Sequence, residues 1–191
     1  MPKQTDAALS GNWRRRDLLR FFAGAGLVAL GQPLSFLGCT AAPPEIPPNR
    51  PQYAVDRFLK SLNCSQAVLE TYAPSLGMPA PMARRVATAM AGGMGLGSEC
   101  GAVTGALMVI GLKYGKTADT DQQADQETFQ RVTAFLKMFQ ARHEHLGCSQ
   151  LLGVDMGSPE GVKEAEKLGL FTKRCPAYVR SAAEILDTIL L

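Results

Sequence analysis

Ala54-Val55-Asp56-Arg57-Phe58-Leu59-Lys60-Ser61-Leu62-Asn63-Cys64-Ser65-Gln66-Ala67-Val68-Leu69-Glu70-Thr71-Tyr72 is the stretch on which the fold turns. Ala54, Val55, Phe58, Leu59, Leu62, Ser65, Val68, Leu69 and Tyr72 recur at steps of three and four, which gathers them on one face of a helix. That spacing predicts a first helix running through Cys64. Pro81 opens a second helix through Met90, stopped by Gly92-Gly93, and a third runs from Cys100 to Tyr114. A fourth, from Thr120 to Leu146, carries Phe129, Val132, Phe135, Leu136 and Phe139 on one stripe and ends at Gly147. Short helical segments follow at Gln150 to Leu152 and Pro159 to Leu168, the latter with Ser158 as N-cap and Pro159 at its first position. A last helix, Pro176 to Leu190, has Tyr178, Val179, Ala182, Ile185, Leu186 and Ile189 on its apolar side. No segment alternates with a period of two, so the expected fold is all-α, a compact bundle of four to five helices with glycine-rich connections.

The bundle occupies residues 52–191, one domain by length. Upstream, Arg14-Arg15-Arg16-Asp17-Leu18-Leu19-Arg20 fits a twin-arginine export signal with Arg15 and Arg16 as the address. The uncharged stretch from Phe21 to Leu37 is short for a bilayer span and suits a signal h-region. It ends in Gly38-Cys39, similar to a lipobox although Phe36 and Leu37 depart from its commoner residues. Residues 1–39 are therefore expected to form the signal. Lipid attachment at Cys39 is the favoured fate, with cleavage near Ala41 and Ala42 or an uncleaved anchor as alternatives. Pro43-Pro44, Pro47-Pro48 and Pro51 make residues 40–51 an extended tether. The expected localisation is extracytoplasmic or periplasmic, with membrane attachment through a lipid or signal anchor.

Formal net charge is +3, and the basic excess lies largely in the signal. No basic face with interleaved aromatics appears, so nucleic acid is not an expected partner. The chemistry resides in cysteine. Besides Cys39 the chain has Cys64, Cys100, Cys148 and Cys175, and a thiolate is both nucleophile and soft metal ligand. Cys100, Cys148 and Cys175 are expected at helix N-termini, where unpaired N–H groups and the positive dipole end favour a thiolate. Gly97 precedes Cys100, and Gly101 and Gly105 follow it at a spacing that lets a second backbone approach a helix closely.

Other motifs fall away. Gly93-Met94-Gly95-Leu96-Gly97 lacks the third glycine position and the preceding strand of a dinucleotide fingerprint. Gly111-Leu112-Lys113-Tyr114-Gly115-Lys116-Thr117 is one residue short of a phosphate-binding loop and closes a helix instead of opening one. His143 and His145, the only histidines, lie two apart, so at most one could join the cysteines; the solvated end of a helix is their default place. No Cys-x-x-Cys-His or Cys-x-x-Cys occurs, which excludes covalent haem and a thioredoxin-type pair.

Asn63-Cys64-Ser65-Gln66-Ala67-Val68, Gly97-Ser98-Glu99-Cys100-Gly101-Ala102-Val103-Thr104-Gly105-Ala106-Leu107, Gly147-Cys148-Ser149-Gln150-Leu151-Leu152-Gly153 and Cys175-Pro176-Ala177-Tyr178-Val179 together resemble the redox-active C_GCAxxG_C_C family. The resemblance covers essentially the whole domain. It implies a helical redox domain with Cys64, Cys100, Cys148 and Cys175 as functional residues, often encoded near transport genes, and a transporter as one conceivable partner. The haem sites of its split-Soret cytochrome relatives are missing here.

Two function classes stay open. Four sulfurs converging on an iron-sulfur cluster, or with less support on zinc, would carry electrons to a redox partner. Alternatively they cycle through disulfides or staple the fold. Twin-arginine export carries folded proteins, which favours a metal centre loaded before export. No general acid, base or substrate pocket can be named from the sequence, which leaves enzymatic activity undecided.

Overall fold

The computed structural model describes residues 47–191. Arg15, Arg16, Cys39, the signal and most of the 40–51 tether lie outside the described residues. No described helix is long and apolar enough to cross a membrane.

The domain is all-α, with more helices than the sequence led us to expect. The opening stretch is broken into α1 (Arg50–Ser61) and α2 (Cys64–Tyr72). Leu62 caps α1 in the left-handed conformation, φ 50°, and Asn63 turns the chain by accepting from the Gln66 N–H at 2.9 Å. The apolar spacing runs unbroken across the joint because both helices bury the same side, which is why periodicity alone missed the break. The Asn63-x-x-Gln66 cap was the local signal for it. Asn49 caps α1 and Arg50 pairs with Asp187 at 3.2 Å, so the ordered domain starts inside the stretch expected as tether.

Next come α3 (Ala80–Ala87), a glycine-rich turn over Gly93–Gly97, and α4 (Gly101–Tyr114). Then follow α5 (Gln122–His143), α6 (Cys148–Leu152), α7 (Pro159–Lys167), α8 (Leu170–Lys173) and α9 (Cys175–Ile189). Ser158 caps α7, accepting from the Gly161 N–H at 3.1 Å, as its place before Pro159 predicted. Helix α8 was not anticipated; a single turn carries too few residues to show a period.

Apolar on every side, α4 is the central element and packs against α2, α5 and α9. The core joins Phe58 of α1, Leu69 and Tyr72 of α2, Ile110 of α4, Phe135 and Phe139 of α5, and Ile185 and Leu186 of α9. Phe129, expected on the same α5 stripe, is instead 62% exposed; here the helix turns Thr128, whose hydroxyl is buried, toward its neighbours and leaves Phe129 on the outer side.

Two polar ties fix how the helices meet. Glu70, buried on α2, takes Arg57 of α1 at 3.0 Å and Arg84 of α3 at 2.6 Å, so a single carboxylate joins three helices. The Tyr72 hydroxyl donates to the Ala183 carbonyl at 2.7 Å and lies 3.0 Å from the Asp187 carboxylate, tying α2 to α9. Both ties use α2, the helix that begins at Cys64.

Candidate functional site

All four cysteines of the domain stand at helix starts. Cys64, Cys148 and Cys175 are the first residues of α2, α6 and α9, and Cys100 is the N-cap of α4. Cys64 is the unexpected one, since the sequence placed it in mid-helix. Cys175 lies one position further into its helix than the N-cap expected for it. The repeated Cys-Ser-Gln at 64 and 148 was the sequence sign that both begin a helix.

Main chain does most of the positioning. The Cys100 N–H donates to the Leu146 carbonyl at 2.9 Å, and the Cys148 N–H to the Ser98 carbonyl at 2.6 Å. Around them Glu99 and Gly147 form an isolated antiparallel bridge, so the segments leading into α4 and α6 are clamped side by side. Ser149 accepts from the Met156 N–H at 3.0 Å and holds the following loop. Asn63 donates to the Thr88 carbonyl at 3.1 Å, and Gln66 to the Arg84 carbonyl at 3.1 Å, which anchors the start of α2 to the end of α3.

The three glycines singled out from the sequence lie at close approaches. A Cβ on Gly101 would sit 2.4 Å from the Cys64 sulfur, and one on Gly105 2.8 Å from the Ser65 carbonyl oxygen. Helix α4 therefore passes with its bare backbone against the first turn of α2, which brings the Cys64 sulfur beside Cys100. Gly97 has φ +69°, and a Cβ there would collide with the Ser149 hydroxyl.

Cys64, Cys100, Cys148 and Cys175 line one cavity of about 20 Å³, closed by Leu151, Leu152 and Tyr178. That is room for roughly one water-sized atom. The Tyr178 hydroxyl is turned away to donate to the Leu151 carbonyl at 2.7 Å. Among the described residues no group of three or more His, Cys, Asp or Glu side chains is arranged to hold a metal ion.

The four thiols are electrostatically unequal. A hydrogen bond from the Cys100 thiol, outweighing burial and helped by the N–H groups of Gly92, Cys64 and Ser65, lowers the Cys64 pKa to about 7. Its donor is affected in the opposite sense: the bond to Cys64 and burial together push Cys100 well above the ordinary thiol range. Burial raises Cys148 to about 11 and Cys175 to about 12. The helix-start expectation is thus corrected for three sulfurs. At Cys148 and Cys175 desolvation outweighs the helix ends, α6 being little more than a turn, and at Cys100 the proton is held for its neighbour.

His143 is the last residue of α5, yet its ring is half-buried rather than solvated. The His143 ring lies tilted against Phe139 with centroids 4.8 Å apart and meets the Tyr178 ring edge-on at 5.0 Å. It therefore backs the wall of the cysteine cavity without lining it, and burial lowers its pKa. Tyr178 itself was read from the sequence only as a core residue.

With the geometry in view, comparison with known proteins gives one finding. A family model described as "Putative redox-active protein (C_GCAxxG_C_C)" matches residues 62–189, more than half of the chain and all four clustered cysteines. The chain belongs to this family. No curated protein and no solved structure matches it. The family match carries the redox character of the C_GCAxxG_C_C domain; the reaction has to be argued from the sulfurs.

Proposed function

We propose that this C_GCAxxG_C_C protein is a two-electron thiol redox protein in which Cys64 and Cys100 form the working pair. The observation that carries the reading is their asymmetry: Cys64 is the acidic thiol, and Cys100, hydrogen-bonded to it, keeps its proton. An attacking thiol works best with a pKa near ambient pH, and a neighbouring thiol can then displace the bound partner. With a small disulfide R–S–S–R, the Cys64 thiolate forms a mixed disulfide and releases one RS⁻. Cys100 then loses its proton, attacks Cys64 and releases the second, leaving a Cys64–Cys100 bond. Cys148, buried, and Cys175, half-buried, both stay neutral and keep the pair in a surround of low polarity.

Iron-sulfur or zinc ligation is the second reading, supported by the convergence of four sulfurs on one cavity. The space of about 20 Å³ fits a four-iron cluster poorly, since that volume is about one water's worth, and loading would require the sulfurs to spread. A single ion is the better-fitting version. Export by the twin-arginine route and anchoring at the membrane remain part of the proposal, resting on Arg15, Arg16 and Cys39.

The deciding experiment is anaerobic purification of the full chain with iron, zinc, sulfide and thiol counts, followed by equilibration in a dithiothreitol redox buffer and mass mapping of alkylated cysteines. The proposal expects a reversible Cys64–Cys100 disulfide that is lost in Cys64→Ser and Cys100→Ser and retained in Cys148→Ser. Stoichiometric metal released by each of the four serine variants would instead establish the second reading.

A further inference from the structure

Beside the closed cysteine cavity lies a larger one of about 380 Å³, bounded by Cys64, Cys148 and Cys175 on one side and by Phe58, Leu152 and Phe171 on the other. Its size is that of a small-molecule site. No Lys, Arg, His, Asp or Glu lines it, and its polar atoms are those of backbone and sulfur. A charged disulfide such as a hydrophilic peptide would leave its charges unpaired there, at a heavy desolvation cost.

The mouth of the cavity carries a second, independent anomaly. Leu62 lines it at φ 50° with 54% of its surface exposed, and Met94, in the turn between the lining residues Gly92 and Gly95, stands at φ 60° and 42% exposed. Left-handed backbone favours glycine or asparagine, and solvent exposure favours polar side chains. Leu62, which breaks both preferences as a lining residue, is placed where an apolar ligand would cover it, and Met94 breaks them in the adjoining turn. Val162, 38% exposed, completes the rim.

We propose that this cavity binds an uncharged lipophilic quinone that accepts the electrons of the Cys64–Cys100 pair, an inference that rests on the dithiol reading above. The volume, the uncharged walls and the cysteine floor select the class: an apolar ring that undergoes two-electron chemistry while seated against sulfur. As the S–S bond forms, two electrons pass to the quinone, which becomes the hydroquinone. One of its two protons comes from Cys100, and the other from Cys64 or, when Cys64 is already a thiolate, from solvent. The quinone is bound and reduced without becoming covalently attached in the product.

Duroquinone is the suitable probe, because its fully methylated ring resists addition of the thiolate to a ring carbon. Oxidation of the reduced full chain should saturate with duroquinone concentration and yield one hydroquinone per Cys64–Cys100 disulfide. Leu62→Asn relieves the left-handed strain and so keeps the fold, while Val162→Asp places a charge at the mouth; each should raise the half-saturating concentration about tenfold or more. Phe129→Asp, an exposed site remote from the cavity, should leave it unchanged. Calorimetric titration of Cys64→Ser, which cannot turn over, should show saturable binding of duroquinone that Val162→Asp added to it weakens. A disulfide that forms in dithiothreitol buffer, combined with non-saturating duroquinone oxidation or with Leu62→Asn and Val162→Asp indistinguishable from the parent, overturns the quinone site and spares the dithiol. Failure of the disulfide to form in dithiothreitol buffer overturns both.

Discussion

Gly101→Ala puts the contact between α4 and α2 to the test. An added Cβ would lie 2.4 Å from the Cys64 sulfur, 3.1 Å from the Ser65 nitrogen and 3.2 Å from the Ala91 Cα, well inside the roughly 3.5–4 Å of ordinary contact. Two of the three neighbours are backbone, so the clash is relieved only by separating the helices or displacing the sulfur. Overpacking of this kind costs about 1–3 kcal/mol, while alanine in place of a helical glycine returns about 1 kcal/mol. Gly111→Ala, in the same helix, isolates the second effect, because a Cβ there meets nothing within 4 Å. Urea unfolding of the two reduced variants should therefore place Gly111→Ala about 1 kcal/mol above the parent and Gly101→Ala about 1–3 kcal/mol below Gly111→Ala. The shift should also be chemical. Displacing the sulfur weakens the hydrogen bond from Cys100, so ultraviolet thiolate titration should move the Cys64 pKa up from about 7 toward its ordinary value. Equal stability of the two variants with an unchanged titration would refute the close approach as the origin of Cys64 acidity.

Stability of the reduced protein should rise from pH 7 toward pH 9, because the Cys64 pKa is depressed on folding from 9.0 to about 7 and the unfolded chain holds that proton longer. Above pH 9 stability should fall, since Cys148 and Cys175 stay protonated to about 11 and about 12 in the fold while the unfolded thiols ionise; urea midpoints across this range check both limbs. Alkylation near neutral pH after mild loosening of the fold should label Cys64 first, and Cys100→Ala should slow it by raising the Cys64 pKa; mass mapping reads the order. Glu70→Ala should cost about 1–3 kcal/mol, less than loss of a fully buried pair because the Arg57 and Arg84 side chains remain partly in solvent, and the urea midpoint should fall accordingly.

Sequence periodicity carried the helical class because each helix buries one face, and Ser158-Pro159 marked the start of α7 to the residue. What it could not carry was direction change without a change of face. Leu62 and Asn63 turn the chain between two helices whose apolar sides face the same core, so the pattern reads straight through them. Phe129 failed for a different reason, since it stands at the edge of the α5 stripe, beside Thr128 whose hydroxyl is the group turned inward. At the site, the four cysteines and their glycines were legible as residue types in an unusual spacing. Their unequal acidity was not, because it follows from which sulfur donates to which and how deeply each is desolvated, and both depend on the crossing of α2 and α4. The lipophilic cavity was invisible for the same reason: its walls come from Phe58, Leu152 and Phe171, far apart in the chain.

The clamp around Glu99 and Gly147 is made of peptide groups, with Cys100 and Cys148 each held by its own N–H. Peptide groups are common to all residues, so side chains near the clamp can be exchanged without moving the backbone of Cys100 and Cys148. Met156, Leu151 and Ala91 are accordingly free to act as dials. Changing their size or polarity alters the dielectric and the access of solvent at fixed backbone geometry, and a single scaffold could thereby serve partners of quite different electron affinity.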